Sequence, residues 1–274
     1  RAEGEEQEEE KVEELVYAKK VRRASWAELG RVNEQSISGY LDMLVEEGAE
    51  LDGAKLVVDP ANGAASAVAP EAFSRMGCKV FSVNAFFDGF FPGRKPEPDR
   101  HSLKYLEKVV FKWGADAAIA FDGDADRVAV IDECGRFVDP DRLLAAYAAH
   151  VCGGGVVVVP VDASMCIDRY VASRGGRVVR CPVGDVNVLR EIRRAGAVFG
   201  GEPSGAWIHP DKNPCPDGIL SAVRILKASI SRGISISEFV ADVPSYPIQR
   251  SKVRCSDELK PRVMERLKKE LPEA

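Results

Sequence analysis

The period of the apolar positions changes several times along this chain, and each change marks an expected element. Between residues 37 and 45, Ile37, Tyr40, Leu41, Leu44 and Val45 recur at helical spacing, which predicts an amphipathic helix. From Lys55 the pattern shortens to the β-branched run Lys55-Leu-Val-Val-Asp59, a strand, followed by Pro60-Ala-Asn-Gly63 and a helical stretch ending near Gly77. A second strand is predicted over Lys79–Val83. A Pro- and Gly-rich loop at 88–99 and a helix over 102–112 come next, and then a third strand, Asp116–Phe121, which runs straight into Asp122. This is βαβαβ patterning.

The same order recurs further along. Val156–Val159 and Arg177–Cys181 read as strands separated by a helix over 164–174; a helix over 185–195 then leads to a strand at 197–200. The fold class expected is therefore α/β, with two tandem related βαβαβ-type domains. In each unit the third strand ends on a carboxylate, Asp122 in the first and Glu202 in the second. Ligands of open α/β sheets collect at the carboxyl ends of the strands, so these two residues are expected at corresponding, functional positions. After residue 218 a helix, a Ser/Gly break and a second helix lead to Pro244-Ser-Tyr-Pro247, a boundary signal. The division expected is 1–47 as a linker and remnant, 48–150 and 151–247 as the two units, and 248–274 as the start of another domain.

Composition narrows the function classes. At 274 residues, with 45% apolar and 30% charged positions and a net charge of −5, the chain has the profile of an ordinary globular protein. Lys and Arg are scattered among a larger number of carboxylates, with no concentrated basic face for nucleic acid. No apolar run approaches the ~20 residues of a membrane-spanning helix. Seven cysteines without a Cys-x-x-Cys pair argue against zinc or disulfide scaffolds; they read as small buried hydrophobes in a reducing cytoplasm. The chain opens on Arg1 in an acidic run, expected to be a solvated helix face, and closes soon after a helical pattern begins at 257. Both ends are expected to be cut.

The strongest local chemistry lies at Asp122-Gly-Asp124-Ala-Asp126-Arg127. Three aspartates at alternate positions after a buried strand gather oxygen ligands of the kind hard divalent cations prefer, and a cation removes their mutual repulsion. Arg127 neutralising one carboxylate is the plainer alternative. An EF-hand fits by spacing, with Glu133 at its twelfth position, but it needs Gly where Arg127 stands, and Val128–Ile131 reads as a strand. A dehalogenase-type phosphatase would place its Asp-x-Asp after a first strand, not a third. At the end of the second unit's third strand, Gly200-Gly-Glu202-Pro-Ser204-Gly205 sets a carboxylate and a hydroxyl two residues apart, able to bind vicinal sugar hydroxyls. Alone, it reads more readily as a glycine turn with a capping Ser.

The order of these two loops resembles the α-D-phosphohexomutases. Further stretches agree, in the family's order: Asp59-Pro-Ala-Asn-Gly63, Asp88-Gly-x-Phe-Pro-Gly-Arg-x-Pro-Glu-Pro98, Pro182-Val-Gly184-Asp185 and Cys215-Pro-Asp-Gly218. The likeness covers the chain from about residue 15 onward and is greatest to archaeal phosphomannomutase/phosphoglucomutase types. It implies a four-domain fold around a cleft, with Mg²⁺ held by Asp122, Asp124 and Asp126 and completed by the phosphate of a serine in the first domain. It further implies Arg127 close to that phosphoserine, Glu202 and Ser204 on sugar hydroxyls, and Gly184 and Asp185 in a loop facing the cleft. The reaction implied interconverts hexose 1- and 6-phosphates of mannose, glucose or glucosamine through the phosphoserine and a hexose 1,6-bisphosphate.

The chain departs from the family's pattern in places. It contains neither the Ser-His-Asn-Pro loop of the nucleophile nor the Arg-x-Ser-Gly-Thr phosphate loop, so it is expected to be inactive alone and to bind Mg²⁺ weakly. A two-domain protein that binds Mg²⁺ and sugar phosphate without catalysis is the alternative, and a metal-dependent sugar phosphatase a third. Ala206 stands where many members have His, and Phe90 and Lys95 where Thr and Asn are more frequent.

Overall fold

The computed structural model describes residues 6–20, 23–33, 36–249 and 253–270. An acidic helix α1 (Glu6–Tyr17), whose described side chains from Lys11 onward are exposed, precedes α2 (Ser38–Glu47), which buries Leu41 and Leu44. The first unit then runs β1 (Lys55–Asp59), α3 (Ala69–Arg75), β2 (Lys79–Ser82), α4 (Lys104–Trp113), β3 (Ala117–Phe121) and β4 (Val128–Asp132). Its sheet has the order β2-β1-β3-β4, parallel except for β4, which returns antiparallel along β3. That return is the strand expected after the aspartates, and it leaves no room for the second helix of an EF-hand.

The second unit opens with α5 (Pro140–Val151), which packs chiefly on the helix Cys166–Ser173. It continues β5 (Val156–Pro160), α6 (Cys166–Ser173), β6 (Arg177–Cys181), α7 (Asp185–Ala195), β7 (Phe199–Gly201), β8 (Trp207–His209) and β9 (Asn213–Pro216). Its order, β6-β5-β7-β8-β9, repeats the first sheet's topology and adds a short antiparallel strand. The duplicated α/β architecture read from the sequence is present. Helix α8 (Gly218–Ser229), the four-residue α9 (Ile236–Phe239) and an exposed α10 (Lys260–Glu270) complete the chain.

The strands alternate as a two-sided sheet requires. Leu56 and Val58 of β1, Ile119 and Phe121 of β3, and Val157 and Val159 of β5 point into one shared core with α2, α3, α5, α6 and α8. Val57, Ala118 and Ala120 face a second cluster under α4, and Val158 a third under α7. Each sheet is thus covered on both faces, and the two units are joined by a continuous core rather than by a linker alone. Helix α8 fits this position: ten of its twelve residues are buried. All seven cysteines are free thiols, four of them buried. No helix among the described residues is long and apolar enough to cross a membrane.

Candidate metal centre and sugar loop

Asp122 leaves the carboxyl end of β3, between parallel β1 and antiparallel β4, and this position decides its environment. Its residue surface is 2% exposed, while Asp126 is half-buried and Asp124 exposed. A left-handed turn at Ala125 (φ +69°) folds the loop back on itself. One carboxylate oxygen from each of Asp122, Asp124 and Asp126 lies within 4.8 Å of the others. The three residues proposed from sequence as one ligand set are brought together.

Arg127 answers part of this charge. Its Nε donates to Asp122 Oδ2 at 2.7 Å and to Asp126 Oδ1 at 3.3 Å, and its backbone N–H donates to Asp122 Oδ1 at 3.2 Å. One guanidinium does not balance three carboxylates. Burial, with Asp126 beside it, still pushes the Asp122 carboxyl up to about 7. The donor set fits a hard divalent cation on chemistry as well as geometry: oxygen ligands only, converging, and with an excess of negative charge.

The backing of this loop comes from residues whose role was not visible in their chemistry alone. Arg94 is buried and donates from Nε to Asp59 Oδ2 at 2.7 Å and from Nη2 to the Phe121 carbonyl at 2.5 Å. It therefore ties the carboxyl ends of β1 and β3 together directly beneath Asp122. Asp59 also accepts from the Ala61 amide at 2.9 Å, from Asn84 Nδ2 at 3.1 Å and from the Tyr105 hydroxyl. Ala64 N–H donates to the Gly123 carbonyl at 2.9 Å, and a Cβ on Gly63 would stand 2.2 Å from that oxygen, so the Asn62-Gly63 turn closes against the Asp122–Arg127 loop. Glu97, on the loop that Arg94 holds, accepts from Arg127 Nη1 with both oxygens, at 2.8 and 2.7 Å.

The second loop lies against the first. Val128 N–H donates to the Gly205 carbonyl at 3.2 Å, and Arg127 forms an isolated antiparallel bridge with Ala206. Gly205 sits at φ +95°, and a Cβ there would lie 2.3 Å from the Val128 carbonyl. Gly205→Ala is accordingly expected to destabilise the chain by at least about 2 kcal/mol in urea unfolding, and an unchanged midpoint would disprove this packed junction. Within the loop, Glu202 Oε1 accepts from the Gly184 amide at 2.8 Å, and Glu202 Oε2 from Ser204 Oγ at 3.1 Å. Gly184 (φ +119°) can present that amide because it caps α7 in a conformation open to glycine. Asp185 begins α7, its carboxylate turned onto the Val186 amide at 2.9 Å; the link to Glu202 is made by Gly184.

Gly218 completes the junction. Its amide donates to the Ala125 carbonyl at 3.0 Å, and any side chain would meet the carbonyls of Ala125 and Arg127. Asp217 caps α8 through the Leu220 amide at 2.9 Å and accepts from Tyr40 at 2.8 Å, tying α2 to the same corner. Glu97 and Ser204 also line one groove of ≈ 250 Å³ between the units, floored by Val128, Val130 and Trp207. Two of the histidines are structural: His209 is buried against Ser221 Oγ at 3.0 Å, with its pKa lowered to about 3 by burial, and His150 ends α5 beside Arg232.

A repeated α/β/α unit, with an acidic loop closing the third strand of each copy and the two loops bonded to one another, defines the class as a tandem α/β protein. The chain belongs to the α-D-phosphohexomutase family: residues 38–135 match the family model described as phosphoglucomutase/phosphomannomutase, alpha/beta/alpha domain II, and residues 139–246 match that of domain III. It is 46% identical over 256 residues to a protein named probable phosphoglucosamine mutase from Methanopyrus kandleri, covering 91% of this chain and 57% of that one. Against phosphoglucosamine mutase of Methanococcus maripaludis strain C7 it is 40% identical over 271 residues, 96% of this chain and 61% of the relative. The crystal structure of a phosphoglucomutase/phosphomannomutase family protein from Burkholderia thailandensis superposes with TM-score 0.77 and 26% identity, over 85% of this chain and 51% of that one. The chain spans less than two thirds of the length of these relatives.

Proposed function

We propose that this chain supplies the central half of a phosphohexomutase site that interconverts hexose 1- and 6-phosphates. The observation that carries the reading is the direct bonding of the Asp122–Arg127 loop to the Glu202–Gly205 loop through Val128 and Gly205. A cation centre and a pair of sugar-hydroxyl acceptors then face one reacting substrate. Asp122, Asp124 and Asp126 would hold Mg²⁺, which when bound offsets charge on the transferred phosphoryl group. Arg127 would stand beside the phosphoserine, and Glu202 and Ser204 would orient the ring. Gly184 fixes the Glu202 carboxylate, and Asp185 opens the helix behind it. Of mannose, glucose and glucosamine phosphates, the names of the archaeal relatives favour glucosamine phosphate as substrate, with a hexose 1,6-bisphosphate as intermediate.

The division between the two units is proposed to lie before α5 rather than at the expected 150/151, since that helix packs on α6. A reducing cytoplasm is proposed from the cysteine spacing, which has no Cys-x-x-Cys pair. The sequence contains no Ser-His-Asn-Pro, so residues 1–274 alone, primed with hexose 1,6-bisphosphate, are expected to show no mutase turnover. Robust turnover by them would overturn the need for a phosphoserine from elsewhere. In the full reading frame, a panel of mannose, glucose and glucosamine phosphates is expected to give its highest kcat/KM on glucosamine phosphates. No interconversion across that panel would overturn the mutase reading in favour of a non-catalytic protein that binds Mg²⁺ and sugar phosphate.

A further inference from the structure

The partner that Arg127 takes on its other side matters as much as the aspartates. Its Nε is committed to Asp122 and Asp126, and its Nη1 to both oxygens of Glu97. Glu97 is only half covered by protein, and a surface ion pair of two free side chains contributes little. This one differs because its backbone is held. Arg94 Nη1 donates to the carbonyls of Lys95 at 2.9 Å and Pro96 at 3.3 Å, Glu97 lies between Pro96 and Pro98, and its own carbonyl accepts from Ser102 Oγ at 2.8 Å and from the Asp99 amide at 3.0 Å. The carboxylate is thus delivered to Arg127 by a loop anchored to the same buried Arg94 that carries the end of β3.

The competition follows from charge. A cation on Asp122 must share that carboxylate with the Arg127 Nε bond, and whatever draws the guanidinium outward eases the sharing. We propose that Glu97 is a positioning residue for the metal centre: it holds the Nη1 end of Arg127 on the 88–98 loop, so that the guanidinium engages the aspartates through Nε alone and leaves their remaining oxygens to a cation. This rests on the metal reading above, and it assigns Glu97 no contact with the cation.

The test is a double-substitution cycle on divalent-cation affinity in residues 1–274, with Mn²⁺ as the probe and electron paramagnetic resonance of free Mn²⁺ as the readout. Glu97→Gln keeps the shape and removes the charge, and is expected to weaken Mn²⁺ binding by about 10-fold, the size typical of losing a group that orients a ligand. Glu97→Asp, which keeps the charge, is expected to recover most of that loss. Once Arg127 is replaced by Gln, the Glu97→Gln change is expected to lose most of its effect, because its intermediary is gone. The midpoint of thermal unfolding of Glu97→Gln should stay where it is, which a merely structural role would not allow. Equal effects of Glu97→Gln with and without Arg127, or no effect in either, would overturn the proposal while leaving the metal reading intact. If the unsubstituted chain takes up no Mn²⁺, the metal reading falls, and the role of Glu97 falls with it.

Discussion

Asp122→Asn is expected to lower divalent-cation affinity by at least about 100-fold, the largest loss that any single change in the loop should produce. Removing a group that merely orients a ligand costs 10- to 100-fold, and Asp122 is placed as a ligand itself. The amide has the same volume, so the end of β3 need not move, but the buried anion is lost. Asp122 outranks its neighbours because it is 2% exposed and held by two bonds from Arg127, whereas Asp124 is exposed and would have to be ordered by the cation it is proposed to bind. Asp124→Asn should therefore cost less.

The same substitution should not weaken the fold. Burial and Asp126 push the Asp122 carboxyl up to about 7, so its ionised form works against the cation-free structure. An uncharged side chain removes that opposition, as expected where function requires a locally unfavourable charge. Mn²⁺ titration of residues 1–274 beside their thermal unfolding gives both readings. Near-normal affinity in the variant, or a large drop in unfolding midpoint without cation, would show that Asp122 is a structural carboxylate paired with Arg127.

Much of this arrangement was written in local pattern. The strand Lys55–Asp59 is where its β-branched run placed it, and the recurrence of that pattern a hundred residues on gave the second sheet. Asp122 and Glu202 each follow the last residue of the third strand of their unit, as the repeat required. What escaped was either long-range or disguised. β9 contains Pro214 and Pro216, residues that argue against a strand and are tolerated here at a sheet edge. Arg94 and Asp59 are 35 residues apart, and Glu97 and Arg127 are 30 apart; nothing in either stretch announces a partner. A charged residue in a Pro- and Gly-rich loop reads as solvated, so only the family resemblance drew attention to residues 88–98. The chemistry of that motif lies in its partners, with Arg94 beneath the Asp122–Arg127 loop and Glu97 beside it.

That buried pair supports the second large prediction. Arg94→Met should destabilise the chain by about 3–5 kcal/mol, because it leaves the Asp59 carboxylate buried without its cation. The side chains of Arg94 and Asp59 are 3% and 0% exposed, so water cannot take over the role of either. Three further donors remain on Asp59, from Ala61, Asn84 and Tyr105, but none carries a charge. Combining Arg94→Met with Asp59→Asn should recover much of the stability, since a neutral pair avoids the isolated anion. It should not recover cation affinity. The Phe121 carbonyl would still lack the 2.5 Å bond that fixes the residue before Asp122, and Glu97 would still lack the tether on its loop. Urea unfolding separates the first effect and Mn²⁺ titration the second. A loss of less than about 1 kcal/mol in Arg94→Met would mean that the pair is solvated, and restored cation affinity in the double variant would mean that the anchor acts through stability alone.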